Sequence, residues 1–138
     1  MHQNFFSNLG ALGGRSLLGL MFVSAGLQKI GAYAGTQGYM ESMGVPGGLL
    51  PLVVALEIGA GLAVMLGLTA RVSAFALAGF TLSAAVLFHA NFADQMQSIL
   101  FMKNIAIAGG LFMLTVSGPG AWSLDRVFMS RLKPAVSY

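Results

Sequence analysis

No cysteine occurs among the 138 residues. Disulfides, thiol exchange, iron–sulfur ligation and cysteine zinc sites therefore lie outside the chemistry of this chain, and any redox role must come from a bound group or a partner. Charge is nearly as scarce, at 8% of residues against about 25% in soluble proteins. A water-facing surface needs far more charge than this, so lipid must cover most of the molecule. The pI is near 9.7, but the formal charge of +3 comes from cations scattered singly along apolar runs. That is no basic patch, and nucleic acid is not an expected partner. Histidine is limited to His2 and His89. One histidine with one carboxylate is too few for a closed metal site, so no metal is expected. No Ser–His–Asp spacing suggests a nucleophilic triad, and no glycine-rich phosphate loop follows a strand.

What the chain has instead is apolar length. It is 57% apolar, and four windows approach the ~20 residues needed to cross a bilayer. They cover about 9–30, 49–68, 72–88 and 99–116 of a single integral-membrane domain, 1–138. Only "TAR" separates the second from the third, so these two form a tight helical hairpin. The fourth stops at "SGPG", where glycine and proline end a helix. Small residues recur within the spans, at Gly59, Gly61, Ala63, Ala74, Ala78, Gly79, Gly109 and Gly110. In lipid, helices associate through close backbone approach at such positions. The expectation is an all-α, four-helix transmembrane bundle.

Orientation follows from the placement of lysine and arginine. Arg71 lies in the second connection, and Arg126, Arg131 and Lys133 lie in the tail. The connections 31–48 and 90–98 carry no cation, only Glu41 and Asp94. Both termini are therefore expected in the cytoplasm, with Trp122 at the inner interface and Tyr33 and Tyr39 near the outer one.

The stretch "LLPLVVALEIGAGLAVMLGL", Leu49–Leu68, contains a single ionisable residue, Glu57. Left alone in hydrocarbon, a charged side chain costs at least about 2.5–3.5 kcal/mol. Counting at ~1.5 Å per residue puts Glu57 about 12 Å below the outer start of its span. Lys29 ends the first span on that side, His89 closes the third, and Lys103 with Asn104 enters the fourth. Each helix thus contributes a titratable group to the outer half of the bundle. Either lysine can pair with Glu57, with Gln28, His89 and Asn104 available for hydrogen bonds. The competing reading is that the lysines snorkel to the interface and His89 is merely interfacial, but a short carboxylate at that depth cannot snorkel. A positively biased, partly dry pocket with acid–base groups suits a quinone head group or a small oxyanion. Arg15, in the inner half of the first span, is expected to pair with Asp125 as a structural latch between the first helix and the tail.

Taken in order, "RSLLGLMFVSAGLQKIGAYAGTQGYMESMGVPG", "LEIGAGLAVMLGLTAR", "FHANF", "FMKNIAIAGG" and "GPGAWSLDR" resemble the DoxX family of small bacterial inner-membrane proteins, most closely its enterobacterial inner-membrane type. The likeness runs from about Arg15 to Arg126. It implies a four-helix protein of the bacterial inner membrane, associated with quinol oxidase and thiosulfate:quinone oxidoreductase systems or with redox-stress complexes. Animal relatives in the wider superfamily include a receptor chaperone, so the fold alone does not establish catalysis. The family's polar positions match Lys29, Glu57, His89, Lys103 and Asn104. On this reading quinone is the expected cofactor, bound by Lys29, Lys103 and Asn104, with Glu57 and His89 exchanging protons. The expected partners are the bilayer, a membrane oxidoreductase and, as an open alternative, a second copy of the chain. Two other functions stay open: a non-catalytic accessory subunit of a larger membrane complex, and a small-anion carrier.

Overall fold

The computed structural model describes residues 2–132; Lys133, counted above among the tail cations, and the His2 side chain lie outside what it describes. Helix dominates: α1 (His2–Gly31), α2 (Tyr33–Ser42), α3 (Leu50–Leu66), α4 (Ala70–Phe88), α5 (Gln95–Ser117) and α6 (Leu124–Leu132), with a 3₁₀ turn at Gly47–Leu49 leading into α3. Four stretches are long and apolar enough to cross a membrane: Asn4–Gly31, Gly47–Leu66, Ala70–Phe88 and Gln95–Ser117. The shortest, with 19 residues, spans about 30 Å, the thickness of a hydrocarbon core. Four crossings return both ends of the described chain to one side.

The distribution of side-chain size identifies the solvent. Large apolar residues point outward, with Leu17 72% and Val116 77% exposed. Many of the buried positions are small: Ala70, Ala74, Ala78, Ala85 and Ala108. A soluble core would have the opposite pattern, whereas a bundle in lipid gains by bringing small residues together inside. The tightest crossing joins α1 to α3. A Cβ placed on Gly19 would lie 2.5 Å from the Gly61 carbonyl oxygen, so only glycine permits this approach. The principal apolar core is Phe22, Val64, Ala74, Leu77, Ala78 and Leu111, contributed by all four spans.

Local signals set the helix ends. Pro51 stands in the first turn of α3, where its missing N–H costs nothing. Gly67, at φ 67°, closes α3 in a Schellman motif. Leu68 N–H donates to Ala63 O at 2.9 Å and Gly67 N–H to Val64 O at 3.2 Å. The Asp94 side chain caps α5 by accepting from Met96 N–H at 2.9 Å.

The "GTQGYM" segment lies within α2. Its two glycines meet no neighbour at their missing Cβ positions, so they cost propensity without opening a packing gap. Met40 is buried, and the Tyr39 ring stacks on Phe88 of α4 at 5.6 Å. Tertiary contacts thus hold a helix that local preference would have broken.

Candidate functional site

The polar residues of the four spans separate into two groups at opposite ends. At the end where α1, α3, α4 and α5 present Lys29, Leu50, His89 and Gln95, a half-open cavity of about 480 Å³ lies between the helices. Lys29, Glu57, His89, Lys103 and Asn104 all line it, so the five residues expected to share a site from sequence counting surround one space. The rest of the wall is mainly apolar and aromatic, with Phe22, Phe80 and Phe88 prominent. Thr36, Tyr39 and Met40 bring α2 across it. Gln28, the other hydrogen-bonding candidate, is exposed and takes no part in the lining.

Glu57 is 3% exposed. Lys29 Nζ donates to its Oε1 at 2.9 Å, an ion pair joining α1 to α3. This pairing removes much of the cost of burying the carboxylate. Its second oxygen, Oε2, is shut away from solvent and has no donor within the described chain. Lys103 and Asn104 lie one after the other on α5, and neither side chain has a partner among the described hydrogen bonds. Two lysines against one glutamate leave the lining with a positive excess in a largely apolar enclosure.

His89 sits at the end of α4, its Nδ1 2.7 Å from Gln97 Oε1. Gln97 is not among the site residues expected from sequence. The available signal was its position one turn into α5, at the same end as Lys103, across a short connection from His89. Beneath the cavity the interior closes: Phe22 and Ile107 belong to both the cavity wall and the apolar packing below. The Thr81 hydroxyl is turned away onto Leu77 O at 2.7 Å. The cavity is a blind pocket as far as the packed core extends.

The opposite end is built differently. Arg15, 4% exposed, donates from Nε to Met65 O at 3.2 Å and from its two terminal nitrogens to Pro119 O and Trp122 O. Asp125 accepts from Thr69 N–H at 2.7 Å and Ala70 N–H at 2.9 Å, and so caps the start of α4 from the tail. Its own N–H donates to Gly67 O at 2.9 Å. Arg15 and Asp125 make no direct ion pair, since among the described residues Lys29–Glu57 is the one ion pair; Arg15 nevertheless ties the first helix to the tail through Pro119 O and Trp122 O. Both residues are spent on backbone groups, because helix ends and tight turns leave carbonyls and N–H groups that nearby charged side chains can satisfy. Arg71 reaches across to Thr115 O at 2.9 Å and to Val116 O, holding the end of α5 to the start of α4.

This geometry defines a class: a polytopic membrane protein whose four spans enclose a mainly apolar pocket bearing a few polar groups at one end and are clamped at the other. The DoxX family model matches residues 10–90, and the chain belongs to the DoxX family. It is 52% identical over 120 residues to the inner membrane protein YqjF of Escherichia coli, covering 87% of this chain and 92% of that protein. It is 36% identical over 115 residues to the inner membrane protein YphA of the same organism, covering 78% and 81%. An uncharacterized membrane protein of Mycobacterium tuberculosis, Rv3486, shares 34% over 132 residues, covering 85% and 80%. No solved structure gives a significant match. The relatives and the four spans together make the chain a multi-pass protein of the inner membrane. The family model includes Lys29, Glu57 and His89 but stops before Lys103 and Asn104.

Proposed function

We propose that the chain is the ligand-binding membrane subunit of a quinone-linked oxidoreductase, working with a partner that supplies or removes electrons. The observation that carries this reading is the convergence of Lys29, Glu57, His89, Lys103 and Asn104 on one apolar-walled cavity. Its volume of about 480 Å³ falls within the usual range for small-molecule sites, and the mix of aromatic wall and a few polar groups is typical of them. The donor set fits a head group bearing two oxygens, and the positive excess favours negative charge developing on them. A bound quinone would supply two-electron, two-proton chemistry. In this reading Lys103 and Lys29 hold the oxygen atoms, Asn104 fixes the ring orientation, and Glu57 and His89 hold or pass protons at the cavity wall. The chain's own side chains offer no thiol route for electrons. Arg71, Arg126 and Arg131 belong to the opposite end of the bundle, so the positive-inside rule turns the cavity away from the cytoplasm.

A second reading, an accessory subunit that stabilises a larger complex, draws on the Lys29–Glu57 bridge between α1 and α3. The packed core below the cavity gives little support to a small-anion carrier.

The test is retention of decylubiquinone by the purified protein in lipid nanodiscs, measured by equilibrium partition. Trp122 lies at the far end of the bundle, so its fluorescence is a poor reporter. Lys103→Met is the informative variant, because Lys103 holds nothing in the fold together. Losing a hydrogen bond from a charged donor should weaken retention about tenfold or more. Wild-type retention no greater than that of protein-free nanodiscs overturns the reading. In that case, a membrane partner lost on Lys29→Met would favour the accessory role.

A further inference from the structure

We propose that the cavity selects the reduced, dihydroxy form of its ring ligand over the oxidised dione. This inference rests on the quinone-linked reading and comes from matching donors to acceptors around the pocket.

The donors are plentiful. Lys29 spends one N–H on Glu57 and retains two, while Lys103 and the Asn104 amide have no partner among the described residues. These groups can satisfy oxygens in either oxidation state of the ring. The acceptors discriminate. Glu57 Oε2 is buried without a donor. Gln97 Oε1 lies 2.7 Å from His89 Nδ1; in the neutral tautomer whose Nδ1–H donates to that oxygen, Nε2 is an acceptor. The lining therefore holds two acceptors that its own side chains do not match.

A quinone carbonyl only accepts. It can take hydrogen bonds from the lysines but leaves Glu57 Oε2 and His89 Nε2 unmatched. A phenolic hydroxyl accepts from a lysine and donates to a carboxylate or imidazole at the same time. Glu57 Oε2 is shielded by its surroundings, but the terminal torsion of a carboxylate is broad and soft. It can turn an oxygen toward an arriving hydroxyl while Lys29 keeps hold of the other. Sites built to hydrogen-bond a ligand hydroxyl reject analogues that lack it, because the site's own polar groups are then left unpaired. The expected preference for the reduced form is about tenfold or more.

The experiment compares decylubiquinol with decylubiquinone, each titrated anaerobically against the full-length protein in nanodiscs, for wild type, Glu57→Gln and His89→Leu. Wild type should hold the quinol at least about tenfold more tightly. Glu57→Gln replaces an acceptor oxygen with an amide donor, so the ratio should narrow or invert while quinone binding persists. That persistence shows that the variant is folded. His89→Leu should narrow the ratio through the second acceptor, and it decides the matter alone where Glu57→Gln fails to fold. Equal binding of the two forms, or tighter quinone, overturns the inference and leaves the quinone-linked reading standing. A ratio unchanged in both variants overturns it too, since an ordered water would then be serving the two acceptors. Binding of neither form removes the underlying reading, and the inference with it.

Discussion

Replacing Gly19 by alanine adds one methyl group at the tightest point of the bundle. That carbon would lie 2.3 Å from Met65 Cγ and 2.5 Å from the Gly61 carbonyl oxygen. The methionine can move aside. The carbonyl belongs to the α3 backbone, and ordinary contact begins near 3.4 Å, so α1 and α3 must separate by close to an ångström. Overpacking of this kind costs about 1–3 kcal/mol, and here it also pulls on the crossing that places Lys29 beside Glu57. Gly59→Ala is the control: it lies on α3, the other helix of this crossing, with nothing within 4 Å of the new carbon, and should change stability by no more than about 0.5 kcal/mol. Gly61→Ala, whose new carbon would come 3.0 Å from Gly19 O and from Val23 Cγ2, should fall between the two. Reversible unfolding in mixed micelles, followed by far-UV circular dichroism, gives the three values on one scale. Equal stabilities for Gly19→Ala and Gly59→Ala would refute the claim that backbone approach, and not general helix character, holds α1 to α3.

Two further predictions use the same assay. Lys29→Met leaves Glu57 buried without its cation and should cost about 3 kcal/mol, the low end for breaking a buried pair, because Lys29 is itself 29% exposed. The double variant Lys29→Met/Glu57→Leu should recover most of that loss, and failure to recover would mean that the pair does more than neutralise a charge. Asp125→Ala removes the acceptor for two N–H groups at the start of α4 and should cost about 1–2 kcal/mol; Asp125→Asn, which keeps one acceptor oxygen, should lose less. Equal losses for the two Asp125 variants would show that the cap works by charge alone.

The spans were legible because membrane crossing is a coarse requirement, written as long apolar runs. The pocket was legible because ionisable groups are expensive in lipid, and counting residues inward placed Lys29, Glu57, His89 and Lys103 in the same half of the bundle. What resisted reading was the identity of partners. Asp125 showed its charge in the sequence, and an arginine was the natural mate, yet it bonds Thr69 and Ala70 N–H groups that no residue letter advertises. The α2 helix stayed hidden because Gly35 and Gly38 argue for a turn, while Met40 burial and the Tyr39–Phe88 stack, both long-range, argue for a helix. Gln97 was overlooked because an uncharged residue carries no penalty large enough to demand an explanation.

The Arg15 contacts, the Asp125 cap and the Arg71 bridge all lie at one end of the molecule, whereas the other end has one ion pair, the His89–Gln97 hydrogen bond and a ring stack across its spans. A bundle fastened so unevenly behaves like a clothes peg. Its spring is the knotted end, and its jaws are the helix tips around the pocket. Breathing motions concentrate where the fewest bonds must break, so α2 and the adjoining ends of α1 and α5 part more readily than the far end; on the quinone-linked reading, that is where a lipid-soluble ring would enter.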